Sequence, residues 1–214
     1  MPYNINMNVA KFATGGRRIR PDNFISVVSV MLAVAASASD IVVRASCCAG
    51  LLVYDMNGYD GLYIAAGAVT ALGALYLAAS VLVARTGRMG TLPMIFPACV
   101  IAVGLLLDML FALLSRGRAY MCAEILLFVF GAAGAVALQF TAAGKVRPFI
   151  TATALSVAAV VSAAAAFIAF FAGGATLVEA AGSLPPAAVI CSMALVAAGM
   201  SDGVNGVTGG NDIG

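Results

Sequence analysis

The stretch LPMIFPACVIAVGLLLDMLFALL, residues 92–114, decides the fold class, because its 23 residues contain a single charge, Asp108. At about 1.5 Å of rise per residue, a helix of this length crosses the roughly 30 Å hydrocarbon core of a bilayer. The whole chain is 63% hydrophobic and 9% charged, whereas about a quarter of the residues in a soluble domain are charged. Uninterrupted apolar blocks of this length predict transmembrane helices.

Similar apolar runs lie on both sides of this stretch, at about residues 24–48, 61–84, 120–143 and 148–172. A shorter run of about 16 residues extends from Pro185-Pro186 to Met200. We therefore predict an all-α polytopic transmembrane helical bundle over residues 24–200, with six spans and with five spans as the alternative. Residues 1–23 form a polar leader, and the Gly-, Asn- and Asp-rich residues 201–214 are predicted to be a disordered tail.

The distribution of basic residues predicts the orientation. With the N-terminus in the cytoplasm, eight of the eleven Lys and Arg residues fall on the cytoplasmic side, four of them in the leader. This bias is typical of the positive-inside rule, although Arg116 and Arg118 run against it. An alternative for the first run is a cleaved signal peptide, with Ala36-Ser37-Ala38 resembling a cleavage site. The Ala/Gly-rich composition and short loops suit a bacterial cytoplasmic membrane.

Several classes of chemistry have little support in the residues. The chain has no His and a net charge of +2, so nucleic acid is not an expected partner. Its five Cys residues show no C-x-x-C spacing, so we expect no metal site and no cofactor. A G-x-S-x-G motif is also absent, and we predict no catalytic residues and no enzyme activity.

Four ionisable side chains fall inside the apolar runs. Asp40 and Arg44 are spaced i,i+4 and can pair on one face of the first helix. Counted from the predicted cytoplasmic ends, Asp40 and Asp108 lie at a depth of about 24 Å, Arg44 at about 30 Å and Glu124 at about 28 Å. Charges at bilayer depth usually face the bundle interior and find partners, so we predict a shared polar cluster that serves as an ion or substrate path.

A plainer interpretation stays open for three of these four residues. In this interpretation Asp40 and Arg44 neutralise each other near the membrane interface, and Glu124 belongs to an outer loop with Arg116 and Arg118. Asp108 is the exception, because no opposite charge lies within a turn on its own helix. It is therefore the first candidate for a functional role.

The connection after the second run carries Arg85-Thr86-Gly87-Arg88. It resembles the G-x-x-x-D-R-x-G-R-R/K loop of the major facilitator superfamily, matching at Arg85, Gly87 and Arg88. Ser80, Ala84 and Met89 depart from that pattern. The resemblance implies a six-helix transporter half with a cytoplasmic N-terminus. Ala84 stands where the family has the Asp that gates its conformational change.

Two functions follow from these observations. The first is a small transporter or transporter half handling an ion or small molecule, in which Asp108 faces a water-filled cavity. The second is a non-catalytic membrane assembly or sensor protein, in which Asp108 is paired with Arg44 and dry. Small-residue faces such as Gly131-x-x-x-Ala135 suit close helix packing. Besides the lipid bilayer, the expected partner is a second copy of the chain or another membrane protein.

Overall fold

The computed structural model describes residues 24–52, 58–85, 95–115, 118–173 and 176–200. Six helical segments in these ranges are long and apolar enough to cross a membrane. The chain is thus an all-α, multi-pass membrane protein, and the prediction of six spans is confirmed. The predicted leader, residues 1–23, and the predicted tail, residues 201–214, lie outside the described residues.

The first five spans follow the predicted apolar runs closely, because run length sets the length of a membrane-spanning helix. In chain order the helices are α1 (Phe24–Cys48), α2 (Asp60–Arg85), α3 (Ile95–Ser115), α4 (Arg118–Ala142), α5 (Pro148–Phe171), α6 (Leu177–Gly182) and α7 (Leu184–Gly199). Pro148 stands in the first turn of α5, where its missing N–H costs no helical hydrogen bond.

The sixth span is longer than the sequence predicted. Helix α6 precedes α7 with only Ser183 between them, and together they cover Leu177–Gly199. Glu179 precedes the predicted run, which begins at Pro185. Its carboxylate accepts a hydrogen bond from the Thr176 N–H, and its own N–H donates to Thr176 Oγ1 at 3.2 Å. This capping box starts α6. Pro185 and Pro186 lack the N–H groups that would continue the hydrogen-bond ladder, so the span is interrupted at Ser183.

The helices pack in a ring in the order α1, α2, α3, α4, α5, α7, and α7 closes the ring against α1. Helix α7 also contacts α2 and α4, and its span is the most buried of the six. The core around it contains fully buried Leu105, Leu127, Leu138, Ile190 and Met193. Helix α1 packs against α2 and α7 as one member of this ring.

Consecutive spans run in opposite directions, so the bundle has two distinct ends. The end of α1 lies with the starts of α2, α4 and α6, and we call this the Arg44 end. The start of α1 lies with the start of α5 and the end of α7, and we call this the Arg147 end.

Two glycines bring α2 and α3 into close contact. A Cβ built on Gly73 would lie 2.8 Å from the backbone N of Ile101. A Cβ on Gly104 would lie 2.8 Å from the Cα of Thr70. Real Cβ contacts are not this short, so the two backbones meet at a separation that only glycine permits.

Candidate functional site: a buried arginine between two aspartates

Arg44 and Asp40 pair on one face of α1, as the i,i+4 spacing predicted. The Arg44 Nε donates to Asp40 Oδ1 at 2.9 Å. Asp40 is 4% exposed and Arg44 5% exposed, so this pair lies inside the bundle and not at its surface. The other carboxylate oxygen of Asp40, Oδ2, is buried and accepts no hydrogen bond from the described residues.

Asp108 approaches the same guanidinium from α3. Arg44 Nη1 donates to Asp108 Oδ1 at 2.7 Å, and Nη2 donates to Asp108 Oδ2 at 2.9 Å. This two-point geometry matches the planar fork of a guanidinium to a carboxylate, and a lysine could not reproduce it. Asp108, which has no opposite charge on its own helix, therefore pairs with Arg44 on α1.

Helix α2 completes the coordination of Arg44. The Tyr63 carbonyl oxygen accepts a hydrogen bond from Arg44 Nη1 at 2.7 Å. The guanidinium carbon lies 4.5 Å from the centroid of the Tyr63 ring, and this ring packs against Phe111 with 4.8 Å between centroids. Arg44 therefore connects α1, α2 and α3 through one side chain, with a cation–π contact in addition to its hydrogen bonds.

Gly67 provides the space for this side chain. A Cβ at Gly67 would overlap Arg44 Cδ and Nε. Any larger residue there would push Arg44 away from the carboxylates. Sequence reasoning missed both Gly67 and Tyr63. The only sequence signal for Gly67 is that a glycine lies in the interior of an apolar helix. Tyr63 has no such signal, because it accepts the hydrogen bond through its main-chain carbonyl.

A small cavity of about 10 Å³ lies beside the ion pairs. Arg44, Tyr63, Asp108, Phe111, Glu124, Gly182 and Pro186 line it. This volume is about the minimum for a single water molecule, so the cavity has room for no more than about one water beside the ion pairs. Glu124, 5% exposed, faces the same cavity from α4, and the interruption between α6 and α7 forms another wall.

The structure thus places the four predicted residues in one region of the bundle. Asp40, Arg44 and Asp108 are directly bonded, and Glu124 lies across the cavity. The predicted depths put Arg44 level with Glu124, at about 30 and 28 Å, whereas Arg44 bonds to Asp40 and Asp108. A role of the four residues as an ion or substrate path stays a prediction. Arg85 is the last residue of α2, and Gly87 and Arg88 lie outside the described residues.

The cluster has two carboxylates directly bonded to one guanidinium, and both acids are held by the same cation. Among the residues that the structure describes, no three His, Cys, Asp or Glu side chains are grouped so as to bind a metal ion. Removal of either partner would leave an uncompensated buried charge, which is strongly destabilising.

No family model, curated protein or solved structure matches the chain.

Proposed function

We propose that this chain is a non-catalytic membrane assembly or sensor protein, in which the Arg44 cluster fixes the register of α1, α2 and α3. The observation that carries the proposal is the bidentate bond between Arg44 and Asp108, which is buried beside a cavity of only about 10 Å³. Both oxygens of Asp108 accept hydrogen bonds from Arg44, so Arg44 would have to move before Asp108 could bind an ion. Asp108 is also only 4% exposed.

A surface groove supports the assembly role. It lies between α4 and α5 and has a volume of about 250 Å³. Its lining is apolar and mostly small: Phe130, Ala133, Gly134, Ala137, Ala154, Leu155, Val157, Ala158 and Val161. Small residues let two helix backbones approach closely in a membrane, so the groove suits a transmembrane helix of a second copy of the chain.

The oligomeric state tests the assembly role. The full chain, labelled with one fluorophore per copy, is reconstituted at low density and its photobleaching steps are counted. Ala154→Leu fills the groove and is expected to reduce the fraction of particles with two or more steps. Ala164→Leu is the matched control, because Ala164 is also an exposed alanine on α5 but does not line the groove. Single-step bleaching of the wild type would count against self-assembly.

Transport is the second candidate, and one observation favours it. The cavity beside Asp108 and Glu124 is walled by Gly182 and Pro186, where the sixth span is interrupted. Interrupted membrane helices often form the ion sites of transporters. The resemblance of Arg85, Gly87 and Arg88 to the major facilitator loop is compatible with this candidate, in which two such chains together would enclose a path.

A flux measurement separates the two candidates. Proteoliposomes with wild-type protein, with Asp108→Asn protein and without protein are loaded with a pH-sensitive dye, and ion and metabolite gradients are applied. The assembly or sensor role predicts no flux above that of empty liposomes. Flux in the wild type that disappears in Asp108→Asn, with both proteins equally folded, would instead favour transport.

A further inference from the structure

A second, larger cavity opens at the Arg147 end of the bundle. It has a volume of about 590 Å³ and lies between the start of α1, the start of α5 and the end of α7. Its lining residues are Ile25, Arg147, Pro148, Phe149, Ile150, Ala152, Ala198 and Met200. The walls are apolar apart from one guanidinium, so the cavity combines a cation with a hydrocarbon surface.

Among the residues that the structure describes, the charged groups near this cavity are basic. Lys145 and Arg147 lie just before α5, at this end of the bundle. The acidic residues that the structure describes all lie in the half of the bundle that contains Arg44, namely Asp40, Asp60, Asp108, Glu124 and Glu179. Within the described residues, no carboxylate therefore neutralises Arg147.

The start of α5 adds a fixed partial positive charge. The N–H groups of Ile150 and Thr151 are already donated to the Arg147 carbonyl oxygen, and Pro148 has no N–H, so this terminus contributes its helix dipole and not a set of free donors. The helix dipole at this terminus favours a negative group beside it. Phe149 is 79% exposed and Ile150 56% exposed, which leaves apolar surface next to the same charge.

We propose that this cavity binds an anionic phospholipid, with the phosphate at Arg147 and the start of α5 and an acyl chain along Phe149 and Ile150. Basic pockets between membrane helices favour anionic head groups. The adjoining apolar side chains favour a lipid over a free anion. This site is independent of the Arg44 cluster and of the assembly groove, and it lies at the end of the bundle that carries Lys145 and Arg147.

The test compares two lipids with identical chains, dioleoylphosphatidylglycerol and dioleoylphosphatidylcholine, titrated onto the detergent-purified full chain in native mass spectrometry. We expect the wild type to bind phosphatidylglycerol more tightly. Arg147→Gln should weaken that binding roughly fivefold, the effect of about one basic residue at a membrane surface. Binding of phosphatidylcholine should change little.

Two further variants make the test specific. Lys145→Gln removes the same charge two residues away, but Lys145 contacts the Phe140 ring and does not line the cavity, so phosphatidylglycerol binding should persist. Ala198→Leu narrows the cavity without changing charge and should weaken binding of both lipids. Equal affinity for the two lipids, equal affinity of Arg147→Gln and wild type, or no bound lipid would overturn the proposal. Displacement of the lipid by millimolar inorganic phosphate would assign the site to a free anion instead.

Discussion

Arg44 on α1 and Asp108 on α3 form a bidentate salt bridge, with Nη1–Oδ1 at 2.7 Å and Nη2–Oδ2 at 2.9 Å. The two residues are 64 positions apart in sequence, so the pair connects helices that are not consecutive in the chain. Because Arg44 also bonds Asp40 and the Tyr63 carbonyl, one guanidinium determines how three helices meet. Its removal should therefore affect the whole bundle.

Replacing Arg44 by methionine is expected to lower the free energy of unfolding by about 3–5 kcal/mol, since two carboxylates would lose their shared cation in a buried site. Unfolding of the detergent-solubilised protein by sodium dodecyl sulfate, followed by circular dichroism, measures this loss. The triple variant Asp40→Asn/Arg44→Met/Asp108→Asn carries no charge at these positions and should regain part of the stability. If the single and triple variants were equally unstable, charge imbalance would not be the cause.

Gly67→Ala should destabilise the protein by about 1–3 kcal/mol, the usual cost of overpacking, because the new methyl group overlaps Arg44. The same unfolding assay applies. Gly61→Ala is the matched control on α2, since a Cβ there meets nothing within 4 Å. In an Arg44→Ala background the cost of Gly67→Ala should fall markedly, because residues in contact are energetically coupled. An unchanged cost in that background would contradict the packing argument.

The sequence predicted the spans and one half of the candidate site. Run length identified the first five helices, and the i,i+4 spacing identified the Asp40–Arg44 pair, because both depend only on local geometry. The last span was underestimated, since Pro185-Pro186 and Glu179 are typical of a loop. Its helical start depends on the capping contacts of Thr176.

The rest of the site depends on which helices are neighbours. Depth matching placed both Asp108 and Glu124 near Arg44, but it could not determine which acid bonds the guanidinium. In the structure the acid is Asp108, and Gly67 leaves the space that the Arg44 side chain occupies. The Tyr63 carbonyl could not be predicted from the sequence, because it is a main-chain group that every residue type has.

Gly104→Ala should reduce stability more than Gly131→Ala. A Cβ at Gly104 meets backbone atoms of Thr70, which cannot move without shifting α2, whereas a Cβ at Gly131 meets the Cδ1 end of the flexible Leu105 side chain. We expect a loss of about 1–3 kcal/mol at Gly104 and a smaller one at Gly131. Thermal unfolding of the two variants in the same detergent compares them directly. The reverse order would show that α2 and α3 do not approach as closely as described.

The predicted orientation can be tested with cysteine labelling. Cys48 is exposed at the last residue of α1, so a cytoplasmic N-terminus places its thiol on the outer side of the membrane. With the other four cysteines replaced by serine, Cys48 in intact cells should react with a membrane-impermeant maleimide. In the control protein, Cys48→Ser and Lys145→Cys place the single thiol at the other end of the bundle. This thiol should react only after the cells are permeabilised. The opposite pattern would place the N-terminus outside, and with it the basic Arg147 end, against the positive-inside rule.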